Sequence, residues 1–72
     1  MMNITAHVEL QKLTPREQQL LGYLLTDRTP QEIADAIGVS FYTVLFHSKN
    51  LYRKLDVHSR REIFIKYKDL IV

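Results

Sequence analysis

The sequence predicts an all-α protein, a bundle of four helices, and three observations carry that prediction. A Ser or Thr is followed three residues later by Glu at TPRE (14–17), TPQE (29–32) and SRRE (59–62). In this capping-box pattern the hydroxyl accepts the third helical amide while the Glu carboxylate accepts the amide of the cap itself. Apolar residues then recur at helical spacing after each start. No stretch reads as a strand with comparable strength: Thr5 to Leu10 alternates weakly and has nothing to pair with, so residues 1–12 are expected to form an N-terminal tail or arm.

Size limits what these helices can build. The protein has 72 residues, enough for one domain over 13–72. A chain this short buries only about 60% of its unfolded surface, so its stability must lean on well-specified helix ends and packing. It has no cysteine, which excludes a disulfide framework and thiolate zinc sites and suits a reducing cytoplasm. No apolar run is long enough to span a membrane, and the opening MMNITAHVELQK lacks the basic start and apolar block of a signal peptide. A cytoplasmic protein with no membrane partner is therefore expected.

The first helix is expected over about 15–26. Thr14 caps it, Pro15 fills the first position, where no amide is missed, and Leu20, Leu21, Leu24 and Leu25 form a wide apolar arc with Tyr23 at its edge. The second, about 30–37, repeats the Thr-Pro start at Thr29 and Pro30 and carries a narrow stripe of Ile33, Ala34 and Ile37. The third, about 41–55, opens after Ser40 as cap. At about 100° per residue, its Val44, Leu51 and Leu55 fall in one arc, with Phe41, His47 and Ser48 at the edges. Tyr42, Phe46, Lys49 and Arg53 lie opposite, flanked by Leu45 and Asn50. The fourth, about 60–70, places Ile63, Tyr67 and Leu70 on one face and Ile65 nearly opposite, beside Phe64. Tyr23, Tyr52 and Tyr67 are expected at the margins of apolar faces, each with a buried ring and a wet hydroxyl.

Charge is distributed unevenly. Residues 1–39 hold Lys12, Arg16 and Arg28 against Glu9, Glu17, Asp27, Glu32 and Asp35, whereas residues 40–61 hold Lys49, Arg53, Lys54, Arg60 and Arg61 against Asp56 alone. Such a run suits a polyanion, although a solvated helix face has the same composition.

Only Gly38, Val39 and Ser40 separate the second and third helices, the length of the turn in a helix-turn-helix. Ala34 is small enough for the helices to cross closely, Gly38 can adopt the positive φ of a sharp helix end, and Val44 locks the third helix, the second of this motif, from below. With LTPRE at 13–17, EIA at 32–34, GVS at 38–40, TV at 43–44, His47, KL at 54–55 and Val57, the chain from about 13 to 70 resembles the LuxR-type, or GerE-like, helix-turn-helix DNA-binding domain.

The resemblance implies a four-helix bacterial transcription-regulator module whose third helix enters the major groove and whose fourth often dimerises. Most members carry this module behind a phosphoacceptor or ligand-sensing domain, so the chain resembles the stand-alone kind or an excised fragment. In that frame Tyr42, Leu45, Phe46 and Lys49 are base-reading candidates: Lys49 can reach guanine O6 and N7, and Leu45 and Phe46 can pack on thymine methyls. Arg16, Thr43, His47, Arg53, Lys54, Arg60 and Arg61 are phosphate candidates, as are the amides opening the second and fourth helices. Phe64, Ile65, Lys68 and Ile71, with Val72, are dimerisation candidates. The expected partners are double-stranded DNA, a second copy or another regulator, and RNA polymerase.

In one respect the sequence departs from the family. The position after Thr43 and Val44, frequently a base-reading lysine in relatives, is Leu45 here. Three explanations stay open: a thymine-rich site read through methyl contacts, a preference resting on Lys49, or a helix that has moved from DNA to a protein partner through Tyr42, Leu45 and Phe46.

No catalytic role is expected. The capping register accounts for Glu17, Glu32 and Glu62. His47 is not spaced with His7 or His58 as a metal pair, so it is expected at the core edge or against phosphate. No phosphate-cradling glycine loop or cofactor box is present, and neither cofactor nor metal is expected.

Overall fold

The computed structural model describes residues 11–68. Among them the chain forms four helices and no strand: α1 (Pro15–Leu24), α2 (Pro30–Ile37), α3 (Phe41–Lys54) and α4 (Arg60–Tyr67). The expected arm and the positions of Leu70, Ile71 and Val72 fall largely or wholly outside the described residues.

Two capping boxes form as the sequence reads. Thr14 Oγ1 accepts from the Glu17 amide at 3.1 Å, and Glu17 Oε1 accepts from the Thr14 amide at 2.9 Å. Thr29 and Glu32 repeat the pair at 3.2 and 2.8 Å. The third box closes differently. Ser59 Oγ still accepts from the Glu62 amide, but the Glu62 carboxylate takes the amide of His58 rather than that of Ser59. Ser59 has φ −158°, against −66° and −73° at the other two caps. This more extended backbone turns its own amide aside and brings the preceding one over the carboxylate.

The helix ends are less regular. α2 stops at Gly38 in the left-handed region (φ 73°), and the Val39 amide reaches back to the Ala34 carbonyl at 3.0 Å. This is the six-to-one bond of a Schellman motif, which a residue with a Cβ closes only under strain. α3 ends the same way without glycine: Asp56 holds φ 56°, Val57 N–H donates to the Tyr52 carbonyl at 2.9 Å and Asp56 N–H to that of Arg53 at 3.3 Å. The αL position suits the short polar Asp better than most side chains. α1 ends at Leu24, two residues before the expected boundary, because Thr26 turns its amide and hydroxyl onto the Tyr23 carbonyl. α4 ends at Tyr67, with Lys68 as its C-cap.

The helices close over one core of Leu13, Leu20, Leu21, Leu24, Leu25, Ile33, Ala34, Val44, Leu51, Leu55, Val57, Ile63 and Tyr67. Ala34 has no exposed surface and Val44 is 1% exposed, so the α2–α3 crossing packs tightly, as their sizes require. Val39 and Val44 stand at the positions of a hydrophobic staple, which sets the angle at which the chain enters α3. Tyr67 differs from expectation: it is completely buried rather than marginal. No buried side-chain polar atom among the described residues lacks a hydrogen-bond partner.

Candidate nucleic-acid interface

α3 divides cleanly between core and solvent. Val44, Ser48 and Leu51 are buried, and Leu55 follows them into the core as C-cap. On the opposite face Tyr42 is 78% exposed, Phe46 63% and Leu45 42%, and Lys49 and Arg53 are also exposed. These five residues span an arc of about 100° along the helix. No acidic residue occurs anywhere in FYTVLFHSKNLYRK. The outer face therefore joins apolar and cationic groups without an internal counter-charge.

The start of the helix is held rigidly. Ser40 Oγ accepts from the Thr43 amide at 3.1 Å and also lies 2.8 Å from Thr43 Oγ1, so the half-buried Thr43 hydroxyl is tied to the cap. The Phe41 ring meets that of Tyr42 edge to face at 5.6 Å, and Phe46 meets His47 likewise at 5.7 Å. Both contacts fix exposed rings relative to the helix, which lowers the entropy lost when they are covered.

The cations named from the sequence separate into two groups. Lys54 Nζ lies 2.7 Å from Glu17 Oε1, joining α3 to the capping box of α1. The same carboxyl thus closes a helix start and an interhelical ion pair. Burial pushes it up, but the Lys54 ammonium and the amide and hydroxyl of Thr14 outweigh burial and hold it below the ordinary carboxylate range. Arg60 also points inward: its guanidinium donates to the carbonyls of Leu24 at 3.1 Å, Tyr23 at 3.4 Å and Thr26 at 2.7 Å. A cation at the negative end of α1 does the work that glycine does at the end of α2. Lys49, Arg53 and Arg61 remain exposed, and none has an ion-pair partner among the described residues. Arg16 is exposed on α1 and donates to Gln19 Oε1 at 3.2 Å.

The amides offered for phosphate are fewer than the sequence suggests. At the start of α2 Pro30 has none and Thr29 takes that of Glu32, leaving the Gln31 amide. At α4 Ser59 takes the Glu62 amide, leaving those of Arg60 and Arg61.

Two features near the site escape the sequence reading. Tyr52 and His58 line a shallow hollow with Lys49, Arg53, Asp56 and Val57, where α3 turns toward α4. The left-handed turn at Asp56 brings His58 back beside the helix, and no local pattern announces this. Lys66 is the other: its Nζ donates to the Leu55 carbonyl at 2.8 Å and so closes the end of α3 from α4. On α4 itself Ile65 is 63% exposed, Lys68 is exposed and Phe64 is half-buried. Among the described residues no group of three or more His, Asp or Glu side chains is arranged to hold a metal, and no helix is long and apolar enough to cross a membrane.

Comparison with known proteins agrees with this architecture. The family model described as bacterial regulatory proteins, luxR family, matches residues 11–67. The chain is 32% identical over 69 residues to the HTH-type transcriptional regulator MalT of Vibrio campbellii, covering 96% of this chain and 8% of that protein. It is 42% identical over 59 residues to the probable transcriptional regulatory protein SgaR of Hyphomicrobium methylovorum, covering 82% and 28%. It is 40% identical over 58 residues to the transcriptional activator protein CarR of Pectobacterium carotovorum, covering 81% and 24%. The chain thus spans less than a third of each of these relatives. No solved structure matches it significantly. With its capped helices, its glycine-ended α2 and the solvent face of α3 all lying inside the matched segment, the chain belongs to the luxR family of bacterial regulatory proteins.

Proposed function

We propose that the chain binds double-stranded DNA sequence-specifically, with α3 in the major groove, and that it regulates transcription in the bacterial cytoplasm. The observation that carries this reading is the exposed, acid-free face of α3, where Lys49 and Arg53 stand among Tyr42, Leu45 and Phe46. The relatives' names as transcriptional regulators support it, and a regulatory family rather than an enzyme class fits a molecule of this size. Lys49 is the principal base reader in this proposal. Arg53, Arg61 and Arg16 are the leading phosphate contacts, with Thr43 and His47 beside them, while Lys54 and Arg60 contribute mainly by holding the helices in place.

The test is fluorescence anisotropy with random and selected duplexes across a salt series. Phosphate contacts by Arg16, Arg53 and Arg61 give a slope of log affinity against log salt of about −3. Preference for a selected sequence over random DNA establishes specificity. A single module of this kind covers only about 600–1,000 Å² on DNA, so we propose a dimer, or a pair with another regulator, joined through Phe64 and Ile65 of α4, Lys68 at its end, and Ile71. Sedimentation that finds one copy both alone and on DNA rules the homodimer out. RNA polymerase is a further partner in this reading.

A second reading rests on the exposure of Tyr42 and Phe46: α3 binds another regulator instead of DNA. Absence of duplex binding at low salt, together with a stable complex with a regulator, favours it.

A further inference from the structure

The cationic residues of α3 account for attraction to a polyanion but not for its apolar corner. A helix that touched phosphate alone would have no use for Leu45 and Phe46 in solvent, and both are exposed in the very arc that holds Lys49 and Arg53. Two large apolar side chains left uncovered contribute nothing to folding, and removing their surface from water in a bound state is favourable. We propose that Leu45 and Phe46 form a methyl-reading corner that selects thymine, at positions within about two base pairs of the guanine read by Lys49. This rests on the DNA-binding reading above and names the bases which that surface selects.

Three features argue for a base edge as the occupant. The corner is continuous with Lys49 and Arg53 on a helix without any acid, so whatever covers it also faces two cations. In the major groove the surface bearing an apolar group among hydrogen-bond acceptors is that of thymine, whose C5 methyl stands next to O4. Spacing agrees: three or four residues of helix separate Leu45 and Phe46 from Lys49, about 4.5–6 Å along the axis, less than two base-pair steps. The edge-to-face contact of Phe46 with the half-buried His47 holds the ring in place before any ligand arrives.

Deoxyuridine supplies the decisive probe, because replacing thymine by uracil deletes one methyl and leaves every hydrogen-bonding group unchanged. A site is first selected from a random duplex pool with the intact chain and then remade with uracil at each thymine in turn. The expected result is a loss of about threefold to tenfold at one or two thymines and none elsewhere. At those same positions 5-methylcytosine is expected to bind better than cytosine. Leu45→Ala and Phe46→Ala are expected to abolish the thymine–uracil difference while leaving the salt slope unchanged. Because the methyl is removed from the DNA, the test stands even if a variant fails to fold. Tight selected binding that is indifferent to every uracil overturns the methyl corner and leaves the DNA-binding reading intact. Binding without any selected sequence overturns the methyl corner together with the sequence specificity proposed above, and leaves only general attraction to the duplex. Failure to bind any duplex at low salt overturns both, and makes the corner a contact for protein.

Discussion

The Arg60 guanidinium, at the first position of α4, donates from Nε to the carbonyl of Leu24, the last residue of α1, at 3.1 Å. It reaches two further carbonyls at that end, so one side chain caps a helix whose C-cap is Leu25 rather than a glycine. The contact brings the start of α4 against the end of α1 and thereby orients the elements flanking α3.

Arg60→Ala is expected to lower stability by about 1.5–3 kcal/mol, the range for hydrogen bonds to a charged group, with Arg60→Lys recovering less than half. Urea denaturation checks this. Arg61→Ala is expected to change stability by less than about 0.5 kcal/mol, while weakening all duplexes alike and reducing the salt slope by about one. If Arg60→Ala instead keeps full stability and loses one unit of slope, Arg60 belongs with the phosphate contacts.

Lys49→Ala is expected to cost about 1–3 kcal/mol on the selected site and to relax preference for guanine at one position. Equal weakening of selected and random duplexes would assign Lys49 to phosphate.

The two left-handed helix ends make opposite predictions. Gly38→Ala is expected to destabilise the chain by about 1 kcal/mol through backbone strain alone, since a Cβ built there meets nothing within 4 Å. Asp56→Gly is expected to stabilise it by about 0.5–1 kcal/mol, because it relieves the αL backbone and removes a negative charge from the negative end of α3. Thermal unfolding of both variants settles the pair.

Acid should loosen the α1–α3 junction. The Glu17 carboxyl lies below its ordinary value of 4.5 in the folded chain. The unfolded chain therefore binds the proton first as pH falls, and stability rises with pH through this window. The Glu17 contribution is complete above the unfolded value and is lost as pH drops through the folded one. Glu17→Gln is expected to flatten this part of a stability–pH profile, whereas Arg16→Gln should leave its shape unchanged.

Leu51→Ala is expected to cost about 2–5 kcal/mol, since the side chain is completely buried between the helices. For a domain of this size that is a large part of the whole stability, so circular dichroism should show a substantially unfolded population at 37 °C.

Every helix start was legible in the sequence, and so was the split of α3 into a core stripe and an outer face. The reason is that starts are local: Thr14 with Glu17, Thr29 with Glu32 and Ser40 with Thr43 satisfy backbone amides from within the same turn. The core stripe of α3 follows likewise from helical period alone. What satisfies the ends of α1 and α3 was less legible, because their carbonyls are met by Arg60, thirty-six residues after Leu24, and by Lys66, eleven residues after Leu55. A basic run looks uniform in one dimension. Only the packed structure decided that Arg60 and Lys66 face backbone and Lys54 faces Glu17, while Lys49, Arg53 and Arg61 stay in solvent, because a cation's role is set by the acceptor that folding brings within reach. The same dependence explains Tyr67, whose periodicity put it on an apolar face but whose complete burial required the other helices to close over it.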